Sequence, residues 1–318
     1  MNILITLLLI VVAVVFLRRM LADKEWPAPP AEAFEGTMLR LGENLVAFPD
    51  RSHLDADLVA QTTVVCFPGF VEDMRYFLEV YHDVPAQLIL VNNANYQNPF
   101  KVEVEPAPDW FTSNPHPLGT IAHDAYCVNQ VLEHLTGPER VVLHGHSRGG
   151  AVVLETGNQQ PERAASVEAI LEAAVVPQGR LFNDGEKKLQ PVGFFLFPFV
   201  FSLMRVLPES TRLQSPMMWV TNATKNRIVA TIPFTPRQYS TAVVNSSNII
   251  AWQAGTGYES YDNFKRVTLF VGERDHVLSR SAMINSAGQR EAVTIIETAG
   301  TDHFPSLEDP AQIQSYYS

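Results

Sequence analysis

The pentapeptide Gly145-His146-Ser147-Arg148-Gly149 joins two segments of opposite periodicity, and that junction constrains the fold more than any other stretch of the chain. Ahead of it, residues 140–143 (RVVL) form a β-branched apolar run that reads as a buried strand. Behind it, a helical pattern of small residues begins near Ala151 and runs to Thr156. A strand that becomes a helix within so few residues must strain its backbone at the turn. Side chains at positions 145 and 149 would strike the neighbouring strand and helix, which is the steric reason for glycine there. Ser147 at the apex is held out at the carboxyl end of a strand, over a helix N-terminus that favours negative charge.

The rest of the chain repeats this alternation. Residues 62–67 (TTVVCF), stopped by Pro68-Gly69, read as a strand, as do 88–91 (LILV), 167–176, 267–271 (VTLFV) and 292–296 (AVTII). Residues 72–81 and 118–135 carry apolar positions at helical spacing, and a polar loop (NNANYQNPF) follows residue 91. Short apolar runs separated by helices imply crossover connections, hence a mostly parallel sheet with helices on both faces. Residues 178–262 break the rhythm and are too many for a loop, so an inserted helical cap is expected there, between core segments 37–177 and 263–318. Inside it, 194–204 (FFLFPFVFSLM) has no charge and is too short to span a bilayer. It reads either as an inner cap helix packed on the core, or as a wall in which Phe194, Phe195, Phe197, Phe199 and Phe201 line an acyl-binding cleft or touch lipid.

The N-terminus differs in kind. Residues 3–17 hold no charge and only one weakly polar side chain, Thr6, and Arg18 and Arg19 follow at once. A cleaved signal peptide carries its positive charge ahead of the apolar stretch and small residues after it. The reverse order here predicts an uncleaved transmembrane anchor over 1–22, with Arg18 and Arg19 snorkelling, Trp26 at the interface and Pro27 ending the helix. Residues 23–36, rich in Pro, Ala and Glu, read as a tether. The formal net charge of −11 excludes a nucleic-acid partner and electrostatic docking on anionic lipid, so attachment rests on apolar burial. Cys66 and Cys127 read as buried free thiols.

A serine hydroxyl needs a base to become a nucleophile, and the base needs a carboxylate to hold its tautomer. His303, in the loop after the last strand, lies at the carboxyl edge where open α/β sheets gather their sites. Asp275, just beyond residues 267–271, lies at the same edge, with Glu172 as the alternative acid. Glu273 reads as a salt-bridge residue, and Asp302 as a loop cap. His144 and His146 sit too near Ser147 in the turn to serve as its base. An oxyanion would be held by the main-chain N–H groups of Arg148 and Phe70, with the Arg148 guanidinium a structural partner. No metal or organic cofactor is implied.

Through Gly69-Phe70, the Gly145–Gly150 turn, Gly272-Glu273-Arg274-Asp275 and Asp302-His303, in the order Ser, Asp, His, the chain resembles the α/β-hydrolase fold family over about residues 40–318. The branch it resembles has a cap inserted after the sixth strand. Phe67-Pro68 departs from the His-Gly that many members carry after that strand. With its N-terminal anchor it is similar to bacterial single-pass membrane-anchored lipases and phospholipases A. That resemblance implies fatty-acyl ester hydrolysis, membrane lipids as surroundings and substrate, fatty acid as product, an inner-membrane location and compatibility with a homodimer. It also implies a periplasmic body, whereas the positive charge of Arg18, Arg19 and Lys24 favours a cytoplasmic one. The face stays open.

Overall fold

The computed structural model describes residues 3–135, 138–181, 190–213 and 222–317. Parts of the expected anchor (1–2) and of the expected cap (182–189 and 214–221) therefore lie outside the described residues. Eight strands form the main sheet: β1 Gly36–Leu41, β2 Asn44–Pro49, β3 Thr62–Phe67, β4 Gln87–Val91, β5 Arg140–His146, β6 Glu168–Glu172, β7 Arg266–Gly272 and β8 Val293–Thr298. Their spatial order is β8-β7-β6-β5-β3-β4-β2-β1. Neighbours from β8 through β4 run parallel, while β2 pairs antiparallel with both β4 and β1. This is the expected α/β-hydrolase fold, a mostly parallel sheet with helices around it.

Two differences from the sequence reading have local causes. The β1–β2 hairpin leaves no clear trace in the sequence, because only Met38 and Leu41 of β1 are buried and the strand carries Arg40 instead of a continuous apolar run. Its turn is Gly42-Glu43, with Gly42 at φ +62°. The strand expected over 167–176 stops at Glu172, because the chain bends at Ala173, whose φ is 41°.

The main helices are α1 Ile3–Asp23, α2 Arg75–Val80, α3 Ile121–Glu133, α4 Arg148–Gln159, α5 Gln190–Val206, α6 Ala223–Thr231, α7 Tyr239–Gly255 and α8 Arg280–Ala287. Strand alternation divides the core into two layers. Val65, Phe67, Leu143 and Leu171 face one side, with α3 and α4, while Val64, Cys66, Val142 and Ile170 face the other, with Tyr76 and Phe77 of α2. Cys127 belongs to the first layer and Cys66 to the second, so the sheet separates the two buried free thiols. Between β6 and β7 the longer elements are helices α5, α6 and α7.

Helix α1 is long and apolar enough to cross a membrane, and its apolar side chains are almost all exposed. It packs beside α5 and α7. Arg18 turns onto the body, donating from Nε to the Phe195 carbonyl at 3.0 Å, and Trp26 lies 5.2 Å from the Tyr239 ring. The helix ends at Asp23, ahead of Pro27. Part of the expected tether is docked as well, since Glu32–Ala33 forms a short parallel ladder with Phe100–Lys101.

Beneath the turn at Ser147, α3 and α4 are locked by a buried ion pair. Arg148 Nη1 donates to Asp124 Oδ2 at 2.7 Å and to Asn93 Oδ1 at 2.6 Å, and both charged side chains are fully buried. The other Asp124 oxygen accepts from Asn44 Nδ2 and the Ala94 N–H, joining β2 and the loop after β4. Removing one partner of such a pair strands a buried charge. Asp124→Ala is expected to destabilise the fold by about 3–5 kcal/mol, read as a lowered midpoint in equilibrium unfolding. A midpoint unchanged from the parent would show that the pair does not lock these elements.

Candidate active site

Ser147 sits at φ 52°, ψ −117°, a backbone strain that the packing around it enforces. A Cβ on Gly145 would lie 2.2 Å from the Gly149 carbonyl oxygen, and one on Gly149 would lie 2.1 Å from that of Phe67. Glycine is therefore required at both positions. The turn is also tied to the next strand: Ser147 N–H donates to the Glu172 carbonyl, and the Val175 N–H donates to that of Ser147, both at 2.8 Å.

The loops after β7 and β8 deliver Asp275 and His303. A Cβ on Gly272 would fall 1.9 Å from the Asp302 carbonyl oxygen, so the absent side chain lets the His303 loop settle on the end of β7. His303 Nε2 lies 3.0 Å from Ser147 Oγ, and its Nδ1 lies 2.8 Å from Asp275 Oδ2. The carboxylate only accepts, so Nδ1 carries the proton and Nε2 is free to accept from the serine hydroxyl. Asp275 Oδ1 accepts from the Val277 and Leu278 N–H groups at 2.7 and 2.9 Å. Burial opposes ionisation of Asp275, but His303 and these donors outweigh it and hold the carboxyl below its usual range.

Register places the expected oxyanion donors at the same edge. Phe67 of β3 pairs with Gly145 of β5, so Phe70 and Arg148 each lie three residues past that pair. Neither main-chain N–H has a hydrogen-bond partner among the described residues.

Other sequence readings change here. Glu172 does not reach His303; it accepts from His144 Nε2 at 3.0 Å, Tyr76 Oη at 2.7 Å and the Ser306 N–H at 2.6 Å. Burial raises its pKa, but these donors and the nearby histidines lower it to about 2. Glu273 accepts from the Gly300 N–H at 2.7 Å and forms no salt bridge among the described residues. Asp302 accepts from the Phe304 N–H as a loop cap and also pairs with the buried Lys225 ammonium.

The five phenylalanines do not share one wall, because a helix turns about 100° per residue. Phe194 and Phe197 line a cavity of about 550 Å³ together with Phe70, Leu196 and Ile249. Phe195 lies under the Arg18 guanidinium and beside Phe199, whereas Phe201 stacks on Phe197 with centroids 4.0 Å apart.

The sequence does not mark Glu72 and His146 as site residues: Glu72 opens a helical pattern, and His146 sits too near Ser147 to be its base. Glu72 Oε2 lies 2.7 Å from His146 Nδ1, and His146 Nε2 lies 2.8 Å from the His303 carbonyl. The signal available was the carboxylate three residues past Gly69, whose N–H it accepts at 2.9 Å. Burial lowers the His146 pKa, but the Glu72 carboxylate overrides it and pushes the value up to about 9. Glu72, His146 and His303 could by spacing hold a metal. Their donor atoms, however, are engaged with one another, with Gly69, with Asp275 and with Ser147.

Residues 64–313 match the family described as the alpha/beta hydrolase family. No curated protein matches the chain. Among solved structures, an esterase from Exiguobacterium antarcticum is similar at TM-score 0.61 and 14% identity, with 89% of this chain and 99% of that one covered. A bromoperoxidase from Bacillus anthracis is similar at TM-score 0.59 and 12% identity, covering 89% and 98%. A thermophilic esterase from Thermogutta terrifontis gives TM-score 0.57 and 17% identity, covering 90% and 96%. At these identities the likeness is one of fold.

The displaced pKa values of Glu172 and His146 act on opposite arms of the stability profile. Glu172 titrates near 2 when folded against 4.5 ordinarily, so its contribution is present above about 4.5 and is lost as pH falls through about 2. His146 titrates near 9 against 6.5, so its contribution is full below 6.5 and is lost as pH rises through about 9. Urea unfolding midpoints across pH are expected to decline on both arms. In His146→Gln the alkaline decline should flatten; an identical alkaline arm would contradict the assignment.

Proposed function

The chain belongs to the alpha/beta hydrolase family, and from that premise we propose that it is a serine hydrolase of carboxylic esters, with fatty-acyl lipids as its substrates. The observation that carries this reading is the hydrogen-bonded line from Ser147 Oγ through His303 to Asp275. Ser147 passes its proton to His303 Nε2 as Oγ attacks the ester carbonyl. The oxyanion that forms is held by the Phe70 and Arg148 N–H groups. His303 then protonates the leaving alcohol, and a water activated by the same ring releases the acid. Asp275 stabilises the imidazolium formed in each half.

The lipid part rests on two further features. The cavity bounded by Phe70, Phe194 and Phe197 has an expected oxyanion residue in its lining and is walled mainly by apolar side chains. One wall belongs to α5, whose exposed Leu196, Val200 and Leu203 recur at helical spacing beside α1. With α1 as an anchor, an acyl chain leaving the bilayer would meet that cavity without crossing water.

Purified full chain in detergent micelles is expected to hydrolyse p-nitrophenyl esters with an optimum at medium or long acyl chains. An optimum at acetyl would count against a lipid substrate. Ser147→Ala should lower kcat by about five to six orders of magnitude, and Asp275→Asn by about four. Incubated with mixed membrane lipids, the parent and not Ser147→Ala should release fatty acid and lysophospholipid, followed by mass spectrometry. Fluorophosphonate labelling that is equal in the parent and Ser147→Ala would sink the serine mechanism.

A further inference from the structure

The two residues flanking Ser147 are each linked, through one partner, to the same glycine. His146 reaches Glu72, whose Oε2 accepts the Gly69 N–H at 2.9 Å. Arg148 reaches Asn93, whose Nδ2 donates to the Gly69 carbonyl at 2.9 Å. We propose that His146–Glu72 and Arg148–Asn93 form a two-sided clamp on Gly69 that aims the Phe70 N–H at the oxyanion. The proposal rests on the reading of Ser147 as nucleophile and extends it to residues that touch no reacting atom.

The geometry leaves little freedom in how the clamp is polarised. A guanidinium only donates, so the Asn93 oxygen must face Arg148 Nη1, 2.6 Å away, and its amide NH₂ must face Gly69. In a trans peptide the carbonyl and the following N–H point in opposite directions. Holding the Gly69 carbonyl toward Asn93 therefore turns the Phe70 N–H the other way. On the second arm, both His146 ring nitrogens face acceptors, the Glu72 carboxylate and the His303 carbonyl. Both must carry protons, which makes the ring an imidazolium paired with Glu72. The ring is stacked on Tyr76 with centroids 4.5 Å apart and on Phe304 at 5.2 Å, so it cannot swing out of line.

Space is as restricted as polarity. A Cβ on Gly69 would lie 2.6 Å from Glu72 Oε2, so the carboxylate lies directly against the glycine. Asp124 backs Arg148, and the His146 arm ends on the main chain of His303. The clamp thus ties the oxyanion loop to both neighbours of the nucleophile and to the backbone of the base. Each substituted residue acts through Gly69 as a positioning residue.

The test uses isosteric variants of the outer members of the clamp. Asn93→Asp keeps an acceptor for Arg148 but cannot donate to Gly69; Glu72→Gln keeps an acceptor for Gly69 but removes the charge facing His146. With the full chain and a p-nitrophenyl ester, each is expected to lower kcat about ten- to a hundredfold, less than loss of a whole oxyanion donor, with KM within about twofold. A trifluoromethyl ketone, whose hemiketal oxyanion occupies the same position, should bind more weakly by the same factor as kcat/KM falls. Variants that melt like the parent and keep its kcat and its ketone affinity would overturn the clamp. So would folded variants that lose activity through KM alone. If one variant fails to fold, the other reads the opposite arm of the same clamp. Ser147→Ala runs alongside: activity retained there defeats the nucleophile reading itself, whereas an inactive Ser147→Ala beside parent-like clamp variants defeats only the clamp.

Discussion

The strained turn at Ser147 is the constraint on which the rest of the structure depends. A φ of 52° at a residue with a side chain is tolerated only where surrounding contacts leave no alternative. Here β5 enters and α4 leaves with their backbones nearly touching at Gly145 and Gly149, and α4 rests on the end of β3 at Phe67. The same tight packing lets the loop after β3 share an edge with the serine. Ser147 and the loop after β3 are thus positioned by one steric fact rather than by two separate elements.

Around this turn the interior is unusually ionic for a sheet edge. Arg148 with Asp124, His146 with Glu72 and Lys225 with Asp302 and Glu308 are buried charged groups that meet partners from other elements. Buried ion pairs contribute little net stability but resist rearrangement, because breaking one strands a charge. That property suits a site whose loops come from four different strands. His144 and His146, separated along the chain only by Gly145, differ in charge because their neighbours differ. Burial holds His144 neutral between a tyrosine hydroxyl and Glu172, whereas His146 faces only acceptors.

The strands beside the turn were legible in the sequence because parallel central strands are apolar on both faces, as in residues 62–67 and 140–143. Ser147 and Asp275 were legible because each follows such a strand, and His303 because it follows the last apolar run of the chain, 292–296. The β1–β2 hairpin was not, since an edge strand with one solvated face carries no comparable run. Nor were Glu72 and Asn93, whose partners are distant in sequence: Glu72 meets His146 and Asn93 meets Arg148 only after β3, β4 and β5 have paired. The segment over 23–36 reads by composition as a semi-rigid tether between anchor and body, yet Glu32 pairs with Arg75 on α2. Pairwise chemistry of that kind leaves no periodic trace.

The placement of Cys66 and Cys127 has a consequence for the surroundings in which this fold can work. The sheet lies between them, and burial raises both thiol pKa values, so neither can pair with the other and neither offers a thiolate to an oxidant. A glutathione-poised compartment and an oxidising one therefore act alike on the folded chain. The fold is held by packing and buried charge, with no bond between these two thiols to make or break.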